Sequence, residues 1–392
     1  MRNTILEDTI PIAPLKIIAL DGFKPLAEKI DHLIVNRRQA EYIGHENSLL
    51  HLGYNAPSYL VKAETPRFGS GESKGRLYES VRGKDLYILA DVINYSIEYK
   101  LGNYVNHLSP DDHFQNLKRM IDACNGKAHR INVIIPFLYE GRQHKRTNLE
   151  SLDCATALQE LVDMGVKNII TFDAHDPRVD NAIPLEGFTN FYTSYQFIQA
   201  LLKKDKDLIL DKDNLMVISP DEGGMSRAIF YANIFGIDVG MFYKRRDFTT
   251  LVNGKNPIVA HEFLGTSVEG KTVFIVDDMI ASGESILDVA KELKERKASK
   301  VYIAATFGLF TEGWEKFDEY YEQGLIDCIF TTNLIYCPEE LKEKPYYVNV
   351  DISAYLALII DTLNHDHTLE TILDTTQRIK ELIDDYKSNK LE

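Results

Sequence analysis

Cysteine is scarce in this 392-residue chain: Cys124, Cys154, Cys328 and Cys337 stand far apart, and no CxxC pair occurs. Neither a zinc-binding spacing nor a disulfide framework is present, and a reduced, cytoplasmic setting is expected. Positive charge is also in deficit. Lys and Arg number 44 against 59 Asp and Glu, for a net charge of −15. A nucleic-acid binder would carry a basic face, so that class is disfavoured. A phosphate-binding enzyme is not, because basic clusters can sit locally in an acidic protein. No run approaches the roughly 18 apolar residues of a membrane span, and the N-terminal stretch lacks the basic start and continuous apolar core of a signal peptide.

What is present is the material of a globular protein. Hydrophobic residues make up 44% and charged residues 26%, enough apolar mass for real cores. The length fits two domains of ordinary size. Past an arm over residues 1–14, broken by Pro11 and Pro14, apolar runs and helix-period segments alternate. Strands are predicted at 15–20, 58–63, 86–92, 131–137 and 166–172, with helices at 23–38, 111–125 and 151–165. The nearly all-apolar 131–137 stretch, INVIIPF, marks a strand covered on both faces. The pattern then restarts, with strands at 215–220, 237–243, 273–276, 300–307 and 328–333 and helices at 195–203, 222–235, 285–296 and 312–322. Such alternation predicts an α/β protein with two mostly parallel, doubly wound sheets, joined near 176–194. The expected domains are 15–190 and 191–345, followed by a helical tail over 346–392 with helices at 351–363 and 369–387.

The chemistry-bearing stretches follow strands. In VFIVDDMIASGES (273–285) a short apolar strand leads to Asp277 and Asp278, then to Ala281, Ser282, Gly283, Glu284 and Ser285 at the start of a helix. Free N–H groups of a first helical turn, with the two serine hydroxyls, suit a 5-phosphate. The two acids suit ribose hydroxyls or a metal held on them. Paired acids can also merely cap a helix, but two standing before the turn cannot both do so.

Five further stretches offer two readings each. Arg142, Lys145 and Arg146 in GRQHKR meet phosphate or form a solvated basic loop. Asp173 and His175 in FDAHD bind Mg²⁺ with acid/base support or form a hydrogen-bonded turn. Asp221 in SPDEGG caps the following helix, while Gly223 and Gly224 let a ligand approach. Lys244, Arg245 and Arg246 precede a polar stretch that reads as a lid, or else form a surface turn. In RFGSGES, Phe68 stacks on a base and Glu72 accepts from an exocyclic amine, or the stretch is a plain hairpin turn.

The 273–285 stretch resembles the loop that binds phosphoribosyl pyrophosphate (PRPP) in phosphoribosyltransferases and PRPP synthetases. Taken together and in order, from about residue 17 to 373, the stretches resemble the ribose-phosphate pyrophosphokinases, or PRPP synthetases. That resemblance implies two phosphoribosyltransferase-like domains. It implies an ATP site formed by Phe68, Ser70, Glu72, Arg142 and Gln143, and metal–ATP residues at Asp173 and His175. It implies a ribose-phosphate site of Asp221, Asp277, Asp278 and Ala281 to Ser285, with catalytic Lys244, Arg246 and His175. Mg²⁺, ATP and ribose 5-phosphate follow, as does a homo-oligomer built from dimers, possibly a hexamer.

The chain departs from the family pattern at His144, where an acid is usual, and after His175, where DPRVDNAIP replaces a glutamine-rich stretch. It departs again at Ala281 and Glu284, in an insertion over 94–110, and in a longer C-terminal helix. Three alternatives stay open: a diphosphokinase acting on another ribosyl acceptor such as ADP-ribose, a phosphoribosyltransferase, and a non-catalytic regulatory subunit.

Overall fold

A computed structural model describes residues 9–44, 49–51, 53–246 and 258–388, with backbone only at Leu49, 244–246 and 258–261. The expected arm over 1–14 therefore lies partly outside the described residues, as does the expected lid over 248–263 up to residue 257; its last six residues are not loop but strand, paired antiparallel with the strand that carries Lys244.

In chain order the elements are β1 (Leu15–Ala19), α1 (Lys24–Tyr42), β2 (Ala63–Glu64), β3 (Arg76–Leu77), β4 (Asp85–Leu89), β5 (Glu98–Leu101), β6 (Tyr104–His107), α2 (Pro110–Ala123), β7 (Arg130–Ile134), α3 (Asp153–Asp163), β8 (Asn168–Phe172) and β9 (Gly187–Phe191). There follow α4 (Ser194–Lys204), β10 (Leu215–Ser219), α5 (Met225–Phe235), β11 (Val239–Arg246), β12 (Ile258–Leu264), β13 (Thr272–Ile280), α6 (Glu284–Glu295), β14 (Lys300–Gly308), α7 (Glu315–Glu322), β15 (Cys328–Thr332), α8 (Glu339–Lys342), β16 (Tyr347–Val350), α9 (Ser353–Asn364), α10 (Glu370–Leu373) and α11 (Thr376–Lys387).

The chain divides into two compact units. The first holds residues 1–192, 333–336 and 351–374; the second holds 193–332, 337–350 and 375–392. The first carries a five-stranded sheet in the order β1-β4-β7-β8-β9, parallel throughout. On one face Ile18, Leu86, Ile88, Ile131 and Val133 pack against Leu117, Met120 and Ile121 of α2 and Leu158 and Leu161 of α3. The start of α2 is fixed locally. Ser109 accepts from the Asp112 N–H, the Asp112 carboxylate accepts from the Ser109 N–H, and Pro110 supplies a preset φ.

The second unit carries a seven-stranded sheet in the order β12-β11-β10-β13-β14-β15-β16, parallel except where β12 runs antiparallel to β11. Its order reverses between β10 and β13. The chain leaves β10 toward β11 and β12, then returns to pair β13 on β10's other side. Loops at the carboxyl ends of two strands diverge at such a switch point and leave a crevice for ligand. The first sheet, which runs in sequence order, has no reversal.

Several sequence expectations change in the structure. The predicted strand at 58–63 is a single parallel bridge, Ile17 with Leu60, followed by the two-residue β2. The 94–110 insertion holds the antiparallel hairpin β5–β6. Residues 346–392 are not a separate helical tail. β16 belongs to the second sheet, residues 351–374 belong to the first unit, and residues 375–392 belong to the second. The apolar faces of these helices account for the split. α9 buries Leu356, Ile359 and Ile360 in the first unit. In the second, the Tyr386 hydroxyl of α11 donates to the Asp205 and Leu208 carbonyls, each at 3.0 Å. The predicted helix at 369–387 breaks at Asp374 and Thr375 into α10 and α11.

α9 is tied to α1 by charge as well as by burial. Arg38 donates through Nε to Asp361 at 2.8 Å and through Nη2 to Asn364 at 2.7 Å, and both Arg38 and Asp361 are 1% exposed. Asn364 in turn donates to Asp85 at 2.9 Å. Removing one partner of a buried pair leaves the other charge uncompensated. Asp361→Ala is therefore expected to lower the unfolding free energy by about 3–5 kcal/mol. Denaturant unfolding reads this directly, and a loss below about 1 kcal/mol would show that the pair adds nothing beyond a surface ion pair.

Candidate functional site

In the first unit, β7 and β8 are neighbours, so the loops leaving their carboxyl ends lie side by side. The loop after β7 turns at Glu140, whose φ is 54°. There the Gln143 N–H donates to the Glu140 carbonyl and the Gln143 side chain to the Ser151 carbonyl, both at 2.8 Å. Arg142 is exposed. The loop after β8 starts at Asp173, which is buried and has a φ of 41°, a left-handed conformation that non-glycine residues adopt rarely and chiefly where surrounding structure enforces it. Its N–H donates to the Phe191 carbonyl at 2.8 Å.

His144 joins the two loops. Its ring centroid is 5.4 Å from that of His175, and its Nε2 is 3.5 Å from the Asp176 carboxylate. Hydrogen bonds from Arg178 hold Asp176 well below the usual carboxylate range. A carboxylate thus stands beside position 144 even though the side chain there is imidazole.

The Phe68–Glu72 loop closes as a hairpin. The Phe68 N–H donates to the Glu72 carbonyl at 2.8 Å, Arg67 and Ser73 form an antiparallel bridge, and Ser70 donates to the Glu72 carboxylate at 2.8 Å. Phe68 is 52% exposed. The first turn of α2 links this loop to the one after β7: Arg67 pairs with Asp112 at 2.8 Å, and Tyr139 donates to Asp111 at 2.6 Å. The hairpin-turn reading of RFGSGES is therefore correct as conformation, and the turn still presents an exposed aromatic ring.

In the second unit, both acidic loops sit at the β10/β13 reversal. Gly224 donates to Asp221 Oδ1 at 3.0 Å, and the Ser219 hydroxyl donates to the Asp221 carbonyl at 2.7 Å. A Cβ on Gly224 would lie 2.8 Å from Ser219 Oγ, so this turn needs glycine. Asp277 and Asp278 do not follow a finished strand, as the apolar run alone implied. β13 continues to Ile280, because Met279 and Ile280 still pair with Phe307 and Gly308 of β14. Asp278 is 6% exposed. Burial first, and then the charge of Asp278, push the Asp277 carboxyl well above its ordinary range, while Arg227 on α5, 3.7 Å away, opposes the shift.

The turn into α6 is tight. Gly283 has φ 89°, and a Cβ there would lie 2.3 Å from the Phe317 ring. The Glu284 N–H donates to Ser282 Oγ at 3.4 Å, and the Ala281 carbonyl accepts from the Thr311 N–H at 3.0 Å. Glu284 places an acid on the helix's first turn, where Lys316 pairs with it at 3.0 Å. Lys244 and Arg246 lie on β11, whose register with β12 shifts between Arg245 and Arg246; their side chains lie outside the described residues. Arg67, Asp111, Asp112, Tyr139 and Arg227 were not singled out from the sequence. Only Arg227 had a signal there, as a cation in the first turn of the helix that follows SPDEGG.

Residues 15–165 match the sequence profile of the N-terminal domain of ribose phosphate pyrophosphokinase, and residues 189–341 match that of the phosphoribosyl transferase domain. The ribose-phosphate pyrophosphokinase of Mycoplasma genitalium is 31% identical over 274 residues, which cover 68% of this chain and 74% of that protein. The enzyme of the same name from Staphylococcus saprophyticus is 27% identical over 345 residues, 87% of this chain and 91% of that one. Among solved structures, phosphoribosylpyrophosphate synthetase from Mycobacterium smegmatis aligns with a TM-score of 0.69 at 21% identity, over 90% of this chain and 99% of that one, a likeness of fold.

Proposed function

This chain belongs to the ribose-phosphate pyrophosphokinase family, and from that premise we propose how its residues carry out the work of a ribose-phosphate diphosphokinase. The reaction moves the β,γ-diphosphoryl group of ATP to the anomeric hydroxyl of ribose 5-phosphate, giving PRPP and AMP. O1 of the sugar attacks the β-phosphorus in line, and the oxygen bridging the α- and β-phosphorus leaves with AMP. Catalysis of this kind is positioning plus charge neutralisation.

The acceptor loop at the β10/β13 reversal carries this reading: a strand bearing two acids, a glycine turn of positive φ, and a helix N-terminus. Ser282, Ser285 and the first-turn N–H groups of α6 hold the 5-phosphate, while Asp221, Asp277 and Asp278 take the ribose hydroxyls. Phe68, Ser70 and Glu72 bind the adenine, and Arg142 and Gln143 meet the ATP phosphates. Arg142, Lys244 and Arg246 offset charge at the β-phosphorus. The residues also fit magnesium. Among the described residues no three acidic, His or Cys side chains form a metal cage of their own, and Mg²⁺ is usually bound through one or two carboxylates plus substrate phosphates. Asp173 and His175 would hold it, and when bound it screens the phosphate charge. No helix among the described residues is long and apolar enough to cross a membrane; a cytoplasmic homo-oligomer built from dimers completes the proposal.

One experiment tests the acceptor. Pure protein with Mg²⁺ and ATP is offered ribose 5-phosphate or ADP-ribose, and AMP is followed. AMP with ribose 5-phosphate is expected. AMP with ADP-ribose alone would move the assignment to the larger acceptor, a reading that Ala281 and Glu284 motivate. No AMP with either would remove the catalytic reading.

A pH dependence follows from Asp277. The free protein holds this proton more tightly than an ordinary carboxylic acid, and the ionised form is the better acceptor for ribose hydroxyls. Affinity for ribose 5-phosphate is therefore expected to rise as pH climbs from the ordinary carboxylate value, about 4, through the raised one. A KM for ribose 5-phosphate that falls between acid and neutral pH, and flattens in Asp277→Asn, supports this; a flat wild-type profile contradicts it.

A further inference from the structure

The loop that presents Phe68 and Glu72 contains Gly69, Ser70 and Gly71, a composition with little stiffness of its own. Its order comes from Arg67, which is 13% exposed at its side chain. The guanidinium makes three contacts. Nη1 donates to the Gly71 carbonyl at 2.8 Å, closing the loop across its base, and Nη2 donates to Asp112 Oδ1 at 2.8 Å. Asp112 is itself fixed, since its other oxygen accepts from the Ser109 N–H at 3.1 Å.

The third contact comes from the β5–β6 hairpin. The Tyr99 ring lies under the guanidinium, 4.1 Å from carbon to ring centroid. The hairpin reaches the loop a second time, where a Cβ on Gly71 would be 3.5 Å from Leu101 Cδ1. Gly71 has φ 91°, so this wall closes over a backbone position that glycine alone adopts without strain.

We propose that Arg67 and Tyr99 are positioning residues of the nucleotide site: the β5–β6 hairpin clamps Arg67, and Arg67 holds the Phe68–Glu72 loop in its base-binding shape. This rests on the nucleotide reading of that loop. Neither residue touches the reacting phosphorus. Their effect is to remove the ordering cost that a glycine-rich loop otherwise meets when ligand binds. The clamp therefore sets affinity for the adenine nucleotide and leaves the chemical step and the sugar-phosphate acceptor alone.

The test compares wild type with Tyr99→Ala, Tyr99→Leu and Tyr99→Phe in the full chain. It measures the Kd of the non-reactive α,β-methylene analogue of ATP with Mg²⁺ by calorimetry, together with KM and kcat for ATP and KM for ribose 5-phosphate. Tyr99→Ala and Tyr99→Leu are expected to weaken nucleotide binding roughly tenfold, the scale of a partly desolvated cation–π contact plus loop ordering. kcat and the acceptor KM should stay within about twofold of wild type. Tyr99→Phe keeps the ring face and should restore wild-type binding. Tyr99→Leu keeps the bulk of the site, so the test survives if the alanine variant does not fold. Unchanged nucleotide affinity in Tyr99→Leu overturns the clamp, as does a loss that Tyr99→Phe fails to restore. A wild-type chain that binds no adenine nucleotide would overturn the reading of the loop itself, a result distinct from a variant that binds as well as wild type.

Discussion

Lys244→Ala is expected to lower kcat by about three orders of magnitude while the Kd for Mg²⁺–ATP stays within a few-fold of wild type. The reason is where charge grows. In diphosphoryl transfer the attacking and leaving oxygens and the three equatorial oxygens of the β-phosphorus share a negative charge that the ground state spreads more widely. A cation aimed at that group acts mainly in the transition state. Single donors of this kind are worth about 10²–10³ in kcat, and arginine fingers about 10³–10⁵. Lys244 stands on β11, two residues before the strand's last residue, Arg246. Lys244→Arg should recover only part of the rate, because a planar fork does not reproduce the point charge of an ammonium. Single-turnover kinetics with an isotherm for Mg²⁺–ATP separate the two effects. An alanine variant with unchanged kcat would remove Lys244 from the catalytic set.

Gly283→Ala is expected to damage both stability and acceptor binding. Position 283 has φ 89°, and the added methyl would lie 2.3 Å from the Phe317 ring, which is fully buried. Backbone strain of about 1–2 kcal/mol for a left-handed conformation adds to about 1–3 kcal/mol for overpacking a filled core. The sum, about 2–5 kcal/mol, should appear as a lowered denaturation midpoint. Relief by rotation of the turn would also move the N–H groups of α6 proposed to hold the 5-phosphate. The KM for ribose 5-phosphate should then rise more than tenfold while the KM for ATP changes little. Combining Gly283→Ala with Phe317→Leu separates the causes: the packing share should return and the φ strain should not. A Gly283→Ala protein with wild-type stability and acceptor KM would contradict the geometry of this turn.

Much of the acceptor loop was legible in the sequence because its signals are local. Val273 to Val276 are all apolar, two acids follow, and small residues precede a helix-period run. The limits of that reading are limits of locality. That β13 continues through Asp277 and Asp278 depends on pairing with β14, more than twenty residues later. The reversal of strand order between β10 and β13, which explains why the two acidic loops adjoin, is a property of the whole sheet. The first tail helix shows in its apolar spacing, but the strand β16 before it, the break at Asp374 and Thr375, and the unit each helix covers are set by distant partners, Arg38 for α9 and Asp205 for α11. Nothing local marks Arg67, because its partners, Asp112 and Tyr99, lie on other elements. Likewise, Asp173 stands in the sequence as one half of an Asp-x-His pair, and its left-handed backbone shows in no residue type.

The sugar's anomeric oxygen takes the β-phosphorus of ATP together with the γ-phosphoryl group. Phosphorus-31 NMR of a reaction of pure protein with Mg²⁺, ATP and ribose 5-phosphate reads this directly. AMP and a diphosphate ester at C1 of the sugar should appear together in equal amounts, with no ADP. ADP with a singly phosphorylated sugar, or ATP left unchanged, would contradict it.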